Sequence, residues 1–273
     1  MNAAPVVRFL VAGVQKGGTS ALFEYLREVP GLELPAVKEA HHFDDETGVD
    51  WSRPDHAAYD ALFANDGRLC GEATPIYLYW PDSLERIRAY NPAMRLILLF
   101  RDPVERAWSH WKMEWARGAE TEPFAWCIRQ GRERVLTDAR SRAGHHRVYS
   151  YVERGFYGRQ LERLLGLIPR DQLLLLRSDD LRREPTSVIA RICDFLRVAP
   201  PPGPILPRSV HRAKEMEYPS VLTAEDRALL TGIYADDRRL FARLAGWDAL
   251  RGVVPQVIRG ERNSPEDSLT SKG

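Results

Sequence analysis

The chain has few lysines, few cysteines and no long apolar run. Only five of its 39 basic residues are lysines, and its formal net charge is +1, so bulk binding of nucleic acid is not expected. Its three cysteines lie far apart without a C-x-x-C pair, which argues against a disulfide framework or a zinc site. No window approaches the roughly 18 apolar residues of a membrane span. We therefore expect a cytoplasmic protein with no membrane partner.

Strand and helix patterns alternate along the chain, and hydrophobic residues make up 44% of it. Buried-strand patterns at 6–14, 94–100 and 172–176 are separated by helical patterns, one of them over 55–63, and residues 71–79 are predicted to be extended. This alternation predicts an α/β fold, with a P-loop-type, mainly parallel sheet flanked by helices on both faces in a single domain. The sequence carries no signal for the oligomeric state.

The domain is predicted to span residues 1–257. Within it, residues 117–150 are charged and arginine-rich, and they predict an insertion that is a candidate lid over an acceptor site. Four tryptophans near or in this stretch either line that cleft or belong to the core, and we favour the core. Residues 258–273 have the composition of a polar C-terminal tail.

A glycine-rich loop joins the first predicted strand to the first predicted helix. Residues 13–20 (GVQKGGTS) nearly fit the Walker A pattern G-x-x-x-x-G-K-[ST], but Thr19 stands at the lysine position and Lys16 lies inside the loop. Glycines bring backbone N–H groups close to an anion, and the helix N-terminus adds a favourable dipole. Since no clear Walker B aspartate follows a strand, a nucleotide with one 5′ phosphate group and no metal fits better than ATP with Mg²⁺. The alternative is an ordinary glycine turn with an exposed lysine.

A second candidate phosphate site follows the strand at 94–100. Arg101 ends that strand and Ser109 lies on the next predicted helix, where both can converge on one phosphate. Arginine supplies a planar fork of donors and serine a further donor. The alternative is a capped helix start with a surface arginine.

Both motifs resemble those of PAPS-dependent sulfotransferases. Residues 14–22 are similar to the family's 5′-phosphosulfate loop, closest to the heparan sulfate (glucosaminyl N-/3-O-) branch, and residues 99–109 are similar to its R-D-P-x-x-R-x-x-S motif for the 3′-phosphate. The resemblance implies 3′-phosphoadenosine 5′-phosphosulfate (PAPS) as donor, PAP as product and no metal. It implies that Lys16 contacts the phosphosulfate and stabilises the leaving phosphate. The other implied cradle residues are Gly17, Gly18, Thr19 and Ser20.

A polar segment after the first helix carries the implied acid–base chemistry. Residues 38–44 (KEAHHFD) resemble the E-x-H-F-F-D element of glucosaminyl 3-O-sulfotransferases, with His42 in place of a phenylalanine. The resemblance implies that Glu39 is the catalytic base and that His41 orients the acceptor or assists. The alternatives are a solvated polar loop and a metal-binding histidine pair, which lacks the i, i+4 spacing.

Three further segments support the resemblance. Residues 71–79 are similar to the family's E-K-[TS]-x-x-Y-F segment, but Ala73 replaces the lysine, which puts a polyanionic heparan acceptor in doubt. Glu72 is either a binding residue or a buried ion-pair partner. Arg212 and Lys214 lie where the family places a basic segment over the 3′-phosphate, although their spacing differs.

These patterns predict transfer of a sulfuryl group from PAPS to a hydroxyl or amine of a carbohydrate or small-molecule acceptor, by in-line attack with Glu39 as base. No nucleic-acid partner is expected. One alternative is a P-loop nucleotide-dependent kinase. The other is a non-catalytic nucleotide-binding module, which needs Lys16 and Arg101 but not Glu39.

Overall fold

The computed structural model describes residues 6–136, 145–206 and 216–247. Within these ranges the strands are β1 (Phe9–Gly13), β2 (Leu32–Glu33), β3 (Leu69–Glu72), β4 (Arg95–Phe100) and β5 (Leu173–Arg177). All five are parallel and form one sheet in the order β2-β3-β1-β4-β5. This confirms the predicted mainly parallel sheet.

The order in which strands are added to the sheet reverses between β1 and β4. After β1 the chain runs to β2 and β3 on one side of the sheet, and it then crosses to β4 and β5 on the other side. In open parallel sheets, ligands bind at such a switch point, beyond the carboxyl ends of the strands. The loops that leave β1 and β4 are the two that carry the predicted phosphate motifs.

Helices cover both faces of the sheet. Alternate residues of a strand point to opposite faces, and accordingly Leu96 and Leu98 belong to one buried cluster while Ile97 and Leu99 belong to another. The helices are α1 (Thr19–Leu26), α2 (Ala57–Asp60), α3 (Ser83–Tyr90), α4 (Pro103–Ala116), α5 (Phe124–Cys127), α6 (Glu133–Leu136), α7 (His145–Val148), α8 (Tyr157–Leu167), α9 (Ser178–Arg183), α10 (Pro185–Leu196), α11 (Ala224–Ile233) and α12 (Ala235–Ala245). The first cluster includes residues of α3, α8 and α12, and the second includes residues of α1 and α10.

Two local sequence expectations were wrong. The segment 71–79 reads as extended, but β3 ends at Glu72 and a tight turn follows, in which the Tyr79 N–H donates to the Ile76 carbonyl at 2.9 Å. Thr74 and Pro75 leave the strand because the Thr74 hydroxyl donates to Glu72 at 2.7 Å and proline has no N–H for a ladder. The helix expected over 55–63 is reduced to the four residues of α2.

The described part of the 117–150 insertion packs on the domain. Trp111 of α4 is fully buried with Phe124 and Tyr151 in a third cluster, and its Nε1 donates to the Glu122 carbonyl at 2.9 Å. This confirms the core interpretation for that tryptophan. Residues 137–144 of the insertion and the tail 258–273 lie outside the described residues, so the lid and the tail stay predictions.

No helix in the described ranges combines the length and the apolar character that crossing a bilayer requires.

Candidate active site

The phosphate loop has a backbone that only glycine allows at two positions. A Cβ on Gly17 would lie 2.3 Å from the Leu99 carbonyl oxygen of the neighbouring strand, so no side chain fits there. Gly18 has a φ of 99°, in the left-handed region that favours glycine. Gly18 is also the N-cap of α1 and supplies no side-chain cap. The first N–H groups of α1, from Thr19 and Ser20 onward, are therefore donors for an anion.

Lys16 lies half-buried in this loop among other cations. Burial lowers the pKa of its ammonium to about 8, the charges of Arg117, Arg101 and Arg106 lower it further, and the charge of Glu114 opposes them. Clustered positive charges repel one another, and a bound dianion would replace that repulsion with attraction. The surroundings of Lys16 therefore fit a phosphate or sulfate group.

Arg101 leaves β4 beside the phosphate loop. Its Nη1 donates to the Lys16 carbonyl oxygen at 3.5 Å. The direction of α4, which follows, is fixed by Asp102, whose carboxylate accepts from the Val104 and Glu105 N–H groups at 3.0 and 3.1 Å. Ser109 is half-buried on the same helix. The structure thus brings Arg101 and Lys16 together at the carboxyl ends of β1 and β4, and it gives no contact between Arg101 and Ser109.

Arg106 belongs to the same cationic cluster and was missed as a candidate site residue. Its side chain is fully buried, it donates to the Tyr151 carbonyl, and its Nε has no hydrogen-bond partner among the described residues. A buried guanidinium with an unpaired donor is costly in an apolar interior. Arg106 is the second arginine of the R-D-P-x-x-R-x-x-S motif, so the sequence did contain a signal for it.

The predicted acid–base residues form a connected chain of side chains. Lys38 donates to Glu39, whose Oε2 lies 3.6 Å from His41 Nε2. The opposite ring nitrogen of His41, Nδ1, lies 3.0 and 3.2 Å from the two carboxylate oxygens of Asp44. Asp44 is fully buried, whereas Glu39 and His41 are partly exposed. This arrangement leaves Glu39 partly exposed to solvent, while Asp44 contacts the imidazole from the opposite side.

The charges in this chain are strongly coupled. Burial raises the pKa of Glu39, but the contact with His41 and the charge of Lys38 outweigh that effect and lower the pKa to about 2. The hydrogen bond to Asp44 and the contact with Glu39 raise the pKa of His41 to about 9. At neutral pH the pair is therefore a carboxylate beside an imidazolium.

His42, the residue that departs from the family pattern, packs away from this chain. Its Nε2 lies 2.8 Å from His56 Nδ1, and its ring stacks on Tyr59 at 4.4 Å. Direct hydrogen bonding between the two histidines gives them a structural role. Within the described ranges, no group of three metal-ligating side chains comes together.

Glu72 is a buried hub beneath the acid–base chain. Thr74 donates to it at 2.7 Å and Tyr59 at 3.4 Å, and Thr74 also accepts weakly from the His41 N–H at 3.5 Å. No ion pair to Glu72 is found in the described part of the chain, which argues against the ion-pair alternative. Burial, together with the charge of Asp44, raises the pKa of Glu72 to about 7.

Replacement of Glu72 by glutamine is expected to change the pH dependence of stability. The raised pKa means that the folded protein holds this proton more tightly than the unfolded chain, so stability falls as pH rises from about 4.5 to about 7. Glutamine removes that loss of folding free energy, which is about 3 kcal/mol for a pKa raised from 4.5 to about 7. Thermal unfolding at pH 5 and pH 8 should show a larger decrease in Tm for the parent protein than for Glu72→Gln. Equal decreases would show that Glu72 is ionised in the folded state as readily as in the unfolded one.

Arg212 and Lys214, the candidates for the late basic segment, lie outside the described residues. Their contact with a 3′-phosphate stays a prediction.

Comparison with known proteins agrees with this geometry. The sequence model of the family described as "Sulfotransferase domain" matches residues 7–215. The chain is 30% identical over 190 residues to human heparan sulfate glucosamine 3-O-sulfotransferase 3B1, a match that covers 68% of the chain and 45% of the relative. It is 25% identical to the membrane-associated sulfotransferase kil1 of Dictyostelium discoideum, covering 70% of the chain and 56% of the relative. The chain thus spans about half the length of the curated relatives it matches.

A solved structure extends the agreement to the fold. The sulfotransferase from Alicyclobacillus acidocaldarius superposes with a TM-score of 0.73 at 26% identity, covering 89% of this chain and 96% of that one.

Proposed function

This chain belongs to the sulfotransferase domain family, and on that premise we propose that it transfers a sulfuryl group from PAPS to a hydroxyl or amine of a carbohydrate or small-molecule acceptor. The observation that carries the proposal is the contact between Arg101 and Lys16 at the carboxyl ends of β1 and β4, beside a glycine loop without room for a side chain at Gly17. Nothing in the comparisons favours the kinase alternative.

The residues at the carboxyl ends of β1 and β4 fit a donor with phosphate and sulfate groups. Lys16 and the free N–H groups at the start of α1 would hold its 5′ end, and Arg101 and Ser109 its 3′-phosphate. PAPS, when bound, supplies an activated sulfuryl group whose bond to the phosphate of PAP breaks as the acceptor's oxygen or nitrogen bonds to sulfur. The Lys16 ammonium neutralises charge that grows on the departing phosphate.

Glu39 is the proposed base. Its carboxylate is ionised and partly exposed, so it can accept the proton that the acceptor loses. A pKa of about 2 makes it a weak base in the resting enzyme, because Lys38 and His41 stabilise its charge. The cationic His41 then stabilises negative charge near the acceptor while Asp44 fixes its orientation.

The pH dependence of turnover is expected to separate donor binding from chemistry. Lys16 must be cationic to bind the donor, so kcat/KM for PAPS should fall above about pH 8. A bound anion raises the pKa of Lys16, so kcat should persist until His41 loses its proton near pH 9. No acidic decline is expected near neutral pH, because Glu39 stays ionised down to about pH 2. A kcat that instead rises through pH 9 would identify neutral His41 as the base.

The acceptor is proposed to be a small hydroxylated or glycosylated molecule and not a highly sulfated polymer. Ala73, at the position where the heparan enzymes carry lysine, is fully buried in the core and offers no charge to a polyanion. The three 3-O-sulfotransferases first among the relatives are named for heparan sulfate glucosamine, which keeps a carbohydrate acceptor in the proposal. The cytoplasmic location stays a prediction.

A radiolabel assay tests this function directly. The protein is incubated with ³⁵S-labelled PAPS and separate pools of sugars, phenols, hydroxylated metabolites and heparan chains, without added metal. The proposal predicts labelled product and equimolar PAP with at least one small-molecule pool. Transfer to long anionic glycans alone would contradict the proposed acceptor class, and absence of transfer with every pool would contradict the activity.

A further inference from the structure

We propose that Arg147 is a positioning residue for the sulfuryl transfer: it holds Asp44 in place, and Asp44 orients His41 against Glu39. The inference rests on the proposed function. Arg147 lies in α7, within the predicted insertion, and no motif of the sequence analysis includes it.

Arg147 contacts both the side chain and the backbone of Asp44. Its Nη1 lies 2.5 Å from the Asp44 carboxylate, and its Nη2 donates to the Asp44 backbone carbonyl. Its guanidinium also stacks over the ring of Trp80, 4.2 Å from the centroid. A planar guanidinium bound to side chain and backbone at once fixes both the position and the rotamer of its partner.

Asp44 needs this partner because it is fully buried. Its carboxylate lies between two cations, the Arg147 guanidinium and the His41 imidazolium. Removal of one partner of a buried ion pair leaves a charge that must be neutralised or moved towards water. Without Arg147, Asp44 would move towards water, and His41 would lose the contact that sets its orientation.

The same short segment is tied to the phosphate loop. Arg154 donates to the carbonyl oxygens of His146 and Arg147 at 3.0 and 2.9 Å, and its Nη1 donates to Gln15 of the loop at 2.5 Å. Arg154 is almost completely buried. The Arg154 side chain therefore joins the phosphate loop to the backbone of α7. Since Arg147 of α7 contacts Asp44, one segment connects the proposed donor loop to the proposed acid–base residues.

Two variants and a matched control test this role. Arg147→Gln removes the charge, and Arg147→Lys keeps the charge without the planar fork. Arg163→Gln is the control. The Arg163 side chain has the same exposed fraction as that of Arg147, it also pairs with a carboxylate, and its Nη1 donates to the backbone carbonyl oxygen of Trp80 at 3.3 Å. We expect Arg147→Gln to lower kcat about 10- to 100-fold while the Kd of PAP changes less than about 2-fold. Arg147→Lys should recover part of kcat, and Arg163→Gln should match the parent enzyme.

The pKa of His41, followed by NMR of the imidazole, gives a readout that needs no turnover. The ionisable groups facing His41 are Glu39 and Asp44, while Asp44 faces His41 and Arg147 and feels the charge of Glu72. If Arg147 only supplied charge, its loss would raise the pKa of His41 further. If it positions Asp44, the pKa should fall from about 9 towards its ordinary value, since the Asp44 contact is lost.

An unchanged kcat, or a raised His41 pKa in Arg147→Gln, would overturn the positioning role. If Arg147→Gln does not fold, the same two measurements on Arg147→Lys decide, with a lower kcat and a lower His41 pKa expected. Absence of PAP binding and turnover in the parent enzyme would instead refute the proposed function, and the NMR result would still report on the contact between Asp44 and His41.

Discussion

Replacement of Lys16 by alanine is expected to remove most donor binding and nearly all turnover. Lys16 is the cation within the glycine loop, and burial, together with the charges of Arg117 and Arg101, lowers its pKa to about 8, so the site favours an anion. Loss of a charge-assisted contact of this kind costs about 1.5–3 kcal/mol of binding, or roughly 10- to 100-fold in the Kd of PAP. Because the variant also loses the stabilisation of the leaving phosphate, its kcat should fall by about 10²- to 10³-fold.

Lys112→Ala is the matched control for this prediction. Lys112 lies on α4 over the rings of Trp108 and Tyr218, at 5.4 and 5.7 Å from their centroids, and it has no part in the proposed site. Calorimetric titration with PAP and steady-state kinetics on both variants measure the effect. Parent-like PAP affinity in Lys16→Ala would mean that the loop does not hold the donor.

Replacement of Glu39 by glutamine is expected to abolish turnover and spare donor binding. Glutamine keeps the shape of the side chain but cannot take a proton, and loss of a general base lowers kcat by about 10²- to 10⁴-fold. Glu39 belongs to the chain with Lys38, His41 and Asp44 and has no contact with the phosphate loop among the described interactions. The Kd of PAP should therefore change by less than a few-fold.

This variant also separates an enzyme from a binding module. Glu24→Gln, on the surface of α1 beside Arg27, is the control for the loss of a carboxylate. A Glu39→Gln protein that keeps parent-like turnover would place the base elsewhere, with His41 as the next candidate. Loss of PAP binding in Glu39→Gln would show that the residue supports the fold of the site and not the proton transfer.

The fold and the phosphate loop could be predicted from sequence because their signals are local. The apolar run at 94–100 predicts a strand, and the structure has β4 there. The glycines at 17 and 18 predict a tight loop, and the structure leaves no room for a side chain at Gly17. The end of β3 was predicted wrongly, because the side-chain bond between Thr74 and Glu72 that bends the chain is not visible in a hydrophobic pattern.

The contacts that hold the site residues in place could not be predicted, because they join residues that are far apart in the sequence. Asp44 and Arg147 are 103 residues apart, and Gln15 and Arg154 are 139 apart. In a chain with many arginines, nothing in the residue type marks Arg147 or Arg154 as buried partners of the site. Only the folded arrangement shows that one short segment connects both halves of the proposed chemistry.

The most direct test of the account is a calorimetric titration of the protein with PAP and, separately, with ATP and Mg²⁺. The proposed function predicts tight PAP binding that needs no metal, is weakened at least about 10-fold in Lys16→Ala and is not matched by ATP with Mg²⁺. Preferential binding of ATP with Mg²⁺ would contradict it, and the kinase alternative would then explain the loop better.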